Sequence, residues 1–88
     1  MHSLAPESDV RVMRVVVDDA RLVVDLMDGR TIAVPLAWYP RLASATAEQR
    51  NHWELAGGGC GIHWPEIDED LSTEGLLRGT RAPRVVSF

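Results

Sequence analysis

The sequence predicts an α+β fold, in which an antiparallel meander of three to four strands carries two or three short helices on one face. Valine-rich runs separated by turn residues fill the first half of the chain, which is typical of strands joined by hairpins. The second half instead carries helix-capping signals and a glycine-rich break. Eighty-eight residues suit one domain. We place it at residues 10–80, between a flexible N-terminal arm (1–9) and a C-terminal tail (81–88).

Three strands are predicted, within residues 10–19, at 21–27 and at 30–36. In the second strand Leu22, Val24 and Leu26 alternate with other residues and share one face, which we expect to be buried. Asp28-Gly29 lies between the second and third strands. This pair favours a two-residue type I′ hairpin turn, in which both residues have positive φ.

The second half is predicted to contain a helical turn at 37–42 and a helix at 44–55. Thr46 and Gln49 match the capping-box spacing, which marks a helix start. Four glycines in AGGGCG (56–61) rule out a regular helix there and predict a sharp turn. A short fourth strand at 60–64 ends before Pro65. Ser72 or Asp70 caps a last helix that stops at Gly79.

Composition restricts the function classes. The net charge of −4 disfavours a nucleic-acid binder, although binding of DNA through Arg78, Arg81 and Arg84 is an alternative that salt-dependent affinity would reveal. With one cysteine, Cys60, no internal disulfide can form. The start of the chain is not a signal peptide, and no apolar run is long enough for a membrane span. We therefore expect a soluble cytoplasmic protein that does not engage a membrane.

The segment GIHWPEIDEDLS (61–72) has two interpretations. Carboxylates with an imidazole suit a metal ion, so His63, Glu66, Asp68 and Asp70 form a hypothetical metal site for a hydrolase or nuclease-like activity. Their spacing matches no established metal motif. Alternatively, the acids precede a helix, whose positive N-terminal end they favour. In that case His63 points outward and pairs with a carboxylate.

Three tryptophans, Trp38, Trp53 and Trp64, are many for a chain of 88 residues. They either fill a small core or leave one ring exposed as an interface anchor. Trp38-Tyr39 is the better candidate for the exposed role, because it lies where the sheet passes into a loop. Together with His63, Glu66 and Asp68, these two aromatic residues form the predicted partner-binding set.

Two long stretches carry a resemblance to a known family. They are LMDGRTIAVPLAWYPRLASATAEQRNHWEL and GGGCGIHWPEIDEDLSTEGLLRG. Over roughly residues 12–80 the chain resembles the small bacterial family called domain of unknown function 2442. The resemblance implies a small α+β domain without an assigned activity or catalytic residues, and therefore no site to carry over.

The resemblance also implies that the gene often lies beside a second small gene, in pairs that look like toxin–antitoxin modules. We therefore expect a non-enzymatic protein-interaction module without a cofactor. Its partner is expected to be the product of the neighbouring gene, with this chain as the antitoxin-like half. Because a domain this small has modest stability, a homodimer is a further expectation.

Overall fold

The computed structural model describes residues 8–81, so residues 1–7 of the predicted arm and 82–88 of the predicted tail lie outside the described residues. Within residues 8–81 the six strands are β1 (Val12–Val17), β2 (Arg21–Leu26), β3 (Thr31–Pro35), β4 (Glu54–Ala56), β5 (Gly61–Trp64) and β6 (Glu69–Ser72). The three helices are α1 (Pro40–Ala43), α2 (Ala47–Asn51) and α3 (Thr73–Arg78). Two 3₁₀ turns lie at Leu36–Trp38 and Gly57–Gly59.

The first three strands form an antiparallel sheet in the order β1-β2-β3, which confirms the predicted meander. The register places Leu22 opposite Val34, and Val24 opposite Val15. These side chains are buried, so the inward face of β2 follows the alternation of the sequence. The opposite face of the sheet carries Arg14 and Asp25, which form an ion pair across β1 and β2.

The hairpin between β2 and β3 lies where Asp28-Gly29 predicts it, but the predicted turn type is wrong. Among residues 8–81, Asp68 is the single non-glycine residue with positive φ, so Asp28 does not adopt the type I′ conformation. The loop has three residues, because Leu26 N–H donates to the Arg30 carbonyl and Gly29 N–H donates to the Leu26 carbonyl. Gly29, at φ 95°, supplies the positive φ that such loops need at their last position.

A second antiparallel sheet follows, in the order β4-β5-β6. The helix predicted at 44–55 is therefore too long. Its capping box at Thr46 is present, but α2 ends at Asn51 and residues 54–56 pair with β5 instead. The glycine run makes the predicted sharp turn, with positive φ at each of Gly57–Gly59, and it brings β4 back alongside β5.

The acids of residues 66–70 do not begin a helix, which corrects the sequence prediction. Glu69–Ser72 is strand β6, paired with β5. The last helix, α3, begins at Thr73, directly after the end of β6. Ser72 is its N-cap, since its Oγ accepts the Gly75 N–H at 3.0 Å, and Gly79 ends it at φ 76°. Both predicted ends of this helix are thus confirmed.

One core joins the two sheets and the helices, and the α+β class is confirmed. Its buried residues come from both sheets, α1, α3 and the first 3₁₀ turn, and they are Val12, Val15, Leu22, Val24, Leu26, Val34, Leu36, Tyr39, Leu42, Ile62, Trp64 and Leu76. Since Ile62 and Trp64 point into this core, the intervening His63 faces outward, as expected from strand alternation. Within residues 8–81 no helix is both long and apolar enough to cross a membrane.

Candidate functional site

The turn between β5 and β6, together with the start of β6, carries three exposed acids. We call residues 65–70 the acidic turn. Glu66, Asp68 and Asp70 are exposed there, and the Asp70 side chain keeps 69% of its surface accessible. Asp68 adopts φ 53°, a left-handed conformation that aspartate tolerates better than most residues.

Neighbouring elements hold the acidic turn in place. The Nδ1 of His52, which directly follows α2, hydrogen-bonds to the Glu66 carboxylate. The Arg41 guanidinium in α1 donates to the Asp68 carbonyl oxygen. Across β5 and β6, Nδ1 of His63 bonds to Oδ1 of Asp70 at 2.7 Å. The turn is therefore attached to α1, to the end of α2 and to β5.

The pKa of His52 is raised above its ordinary value, first by the hydrogen bond to Glu66 and then by the charge of that carboxylate. Protonation of His52 converts the contact with Glu66 into an ion pair. This attachment of the acidic turn is therefore strongest when the histidine is charged.

The four residues of the hypothetical metal site do not converge. Glu66 is directed to His52 and Asp70 to His63, while Asp68 takes part through its carbonyl oxygen. In the described part of the chain, no group of three or more histidine, cysteine, aspartate or glutamate side chains is arranged to hold a metal ion.

The two predicted aromatic anchors have different environments. Tyr39 is only 1% exposed, and its hydroxyl donates to the Thr80 carbonyl oxygen at 3.0 Å. The expectation that Tyr39 lies on an exposed partner surface is therefore wrong, because its ring belongs to the core. Trp38 is half-buried, and the Arg81 guanidinium lies 4.6 Å from the centre of its ring.

Two of the three arginines of the DNA-binding alternative have partners within the chain. Arg78 forms an ion pair with Glu74 one helical turn earlier, at 2.8 Å. Arg81 covers Trp38. Arg84 lies outside the described residues.

A comparison with known protein families tests the family resemblance that the sequence motifs suggest. A family model described as protein of unknown function (DUF2442) matches residues 12–82. The chain belongs to the DUF2442 family. The matched range includes both sheets and the acidic turn, so the family assignment covers the whole described core.

Two solved structures resemble the DUF2442 chain throughout its fold. A crystal structure of a protein of unknown function from Rhodospirillum rubrum is 36% identical, with a TM-score of 0.71, covering 84% of this chain and 92% of that one. A solution NMR structure of an uncharacterised protein from Chromobacterium violaceum is 25% identical, with a TM-score of 0.70, covering 83% and 69%. Among curated proteins, none matches the chain.

The sequence did not predict the burial of one residue of this DUF2442 chain, Glu69. Glu69 belongs to the acids expected to precede a helix, but it is only 8% exposed and lines a depression beside α3. The signal that could have identified it is the two-residue alternation of Ile67, Glu69 and Leu71. That pattern places Glu69 on the inward face only if residues 69–72 are already known to form a strand.

Proposed function

We propose that this DUF2442 chain is a non-enzymatic protein-interaction module whose partner is the product of a neighbouring gene, with this chain as the antitoxin-like half of the pair. The observation that carries the proposal is the acidic turn. It is held by contacts from α1, from the end of α2 and from β5, yet its carboxylates remain exposed.

A surface held in this way is suited to binding. Because the turn is already ordered by neighbouring elements, a partner does not have to supply the free energy of ordering it. Exposed carboxylates on a chain of net charge −4 favour a basic partner, which they would attract at long range and orient on approach. The proposed partner surface is therefore acidic and is recognised by charge.

The half-buried Trp38 extends this surface. Arg81 covers the Trp38 ring and also lines the depression beside α3, to which Asp70 contributes as well. Asp70 in turn bonds to His63. Trp38 is thus connected through Arg81, and His63 through Asp70, to residues that line the depression, and Tyr39 is itself one of its lining residues.

Co-purification tests the proposal. The untagged chain is expressed with the tagged product of the neighbouring gene, and light scattering measures the mass of the eluted species. We expect a complex of defined stoichiometry. A chain that elutes without that product, whether as monomer or homodimer, would overturn the proposed pairing.

A charge variant tests the surface. Asp68→Asn removes a carboxylate, while asparagine tolerates the positive φ at this position. We expect slower association and roughly tenfold weaker binding at low ionic strength. Asp19→Asn is the matched control, because it makes the same chemical change at an exposed position on the β1–β2 turn. Equal affinities for the two variants would exclude the acidic turn as the binding surface.

A further inference from the structure

A depression of about 150 Å³ lies where β6 meets α3. Its lining residues include Tyr39, Glu69, Leu76 and Thr80. A depression of this size suits the entry of a single side chain.

Glu69 is the unusual member of this lining. More than nine-tenths of the residue is buried, and burial raises the pKa of its carboxyl group. Its Oε1 accepts the Asp70 N–H at 3.1 Å. In residues 8–81 no donor bonds to Oε2, and no cation lies within ion-pair distance of the carboxylate.

This arrangement has an energetic consequence. Ionising a carboxyl group in this place is costly without a cation in contact with it, and the charge of the more distant Arg41 offsets only part of that cost. The negative charge of Glu69 also contributes to a raised pKa of the adjacent Tyr39 hydroxyl, after burial itself. A cation entering the depression would offset that cost. The depression should therefore bind a positively charged group in preference to a neutral one.

We propose that the depression receives one basic side chain, arginine or lysine, of the protein partner. This inference rests on the proposed function and specifies its chemistry. The free Oε2 of Glu69 would accept an N–H of the entering group. The Thr80 carbonyl, which already accepts the Tyr39 hydroxyl at 3.0 Å, has a second lone pair for another N–H. Tyr39 and Leu76 would contact the aliphatic stem.

Arg81 provides a second test of whether the depression prefers a positive charge. It lines the same depression, but its guanidinium lies over the Trp38 ring. Its positive charge opposes an entering cation and could occupy the depression in its place. Removal of this side chain by Arg81→Ala should therefore strengthen binding of a basic probe.

The direct experiment is an NMR titration of the full chain with N-acetyl-arginine amide, followed by amide shifts at residues 69–76. N-acetyl-citrulline amide is the matched control, since it has nearly the same shape without the charge. We expect saturable shifts with the arginine probe alone, binding at least about tenfold weaker in Glu69→Gln, and tighter binding in Arg81→Ala. Equal responses to both probes, or unchanged binding in Glu69→Gln, would overturn the inference.

A stability measurement separates binding from a structural role of Glu69. Because the folded-state pKa of this acid is raised, its ionisation destabilises the fold increasingly as pH rises above the ordinary carboxyl range. Glu69→Gln should therefore melt at a higher temperature than the wild type at pH 7, and this gain should vanish near pH 4. A lower melting temperature at pH 7 would instead show that Glu69 is a structural residue.

The inference and the proposed function can fail separately. If Glu69→Gln binds the neighbouring gene product as the wild type does, while Asp68→Asn binds it weakly, the basic side chain is excluded and the interaction module stands. If the wild type forms no complex with that product, the proposed function fails. The arginine titration then shows on its own whether the depression prefers a cation.

Discussion

Arg50 in α2 contacts the end of α1, the β1–β2 turn and Trp64 of β5. Its Nε and Nη2 donate to the carbonyl oxygens of Leu42 and Ala43, at 2.9 and 3.0 Å, where α1 ends. Its Nη1 donates to Asp19 on the β1–β2 turn at 2.9 Å. Its own carbonyl oxygen accepts the indole N–H of the buried Trp64 at 3.1 Å. One guanidinium thus donates to two carbonyl oxygens at the end of α1, and the Leu42 carbonyl also accepts the Ala45 N–H.

We predict that Arg50→Met lowers the free energy of unfolding by about 2–4 kcal/mol, because it removes donors from two carbonyl oxygens in a largely buried place. Asp19→Asn is the control. Its side chain is fully exposed whereas that of Arg50 is 9% exposed, so the ion pair should contribute less than about 1 kcal/mol. Urea denaturation measures both. Equal losses would mean that the ion pair, rather than the carbonyl contacts, accounts for the role of Arg50.

At the scale of elements, the acidic turn is held by two histidines, His52 directly after α2 and His63 within β5. His52 ends α2 and begins the link to β4, and its partner Glu66 lies in the turn between β5 and β6. This contact joins two segments that are distant in sequence. Its strength varies with pH, because the histidine can gain or lose its charge near neutrality.

We predict that the pKa of His52 lies above its ordinary value of about 6.5 and falls towards it in Glu66→Gln. A raised folded-state pKa favours folding when the histidine is protonated. The stabilisation is therefore complete below about pH 6.5 and is lost as pH rises through the folded-state pKa. NMR titration of the His52 ring protons measures the shift. An unchanged pKa in Glu66→Gln would remove the carboxylate as its cause.

The contacts of Glu66 and Asp70 with histidines also make metal binding by these carboxylates unfavourable. Because Glu66 and Asp70 are each directed to a different histidine, we expect millimolar Zn²⁺, Mn²⁺ or Mg²⁺ to leave the melting temperature unchanged. Thermal denaturation with and without each ion is the measurement. A rise in melting temperature that disappears in the Asp68→Asn, Asp70→Asn double variant would restore the metal hypothesis.

At the scale of the whole molecule, the two sheets share one core. Buried residues of β1–β3 and of β5 belong to the same cluster, and Trp64 in β5 is fully buried within it. Neither sheet has a separate core in the described part of the chain. Unfolding of one sheet would therefore expose the apolar face of the other.

We predict a single cooperative unfolding transition. Tryptophan fluorescence reports on Trp64 in the core and on Trp38 and Trp53, which pack against it, and far-UV circular dichroism reports on all strands and helices. Their midpoints in urea should coincide. Two separated midpoints would show that the sheets unfold independently, which would contradict the shared core.

The sequence by itself determined the features that depend on neighbouring residues. The alternation of β2, the position of the hairpin at Gly29, the capping box at Thr46 and the ends of α3 at Ser72 and Gly79 all follow from local stereochemistry. The motif in GIHWPEIDEDLS also indicated the DUF2442 family, which the match over residues 12–82 confirms.

Only the tertiary structure decided the second sheet. Residues 54–56 extend a helical pattern in the sequence, and Glu69–Ser72 has the acids of a helix start, but both become strands because β5 lies between them and pairs with each. Segments of three or four residues have little intrinsic preference, so the partner strand determines their conformation. The burial of Tyr39 and Glu69 has the same origin, since it depends on which distant elements pack beside them.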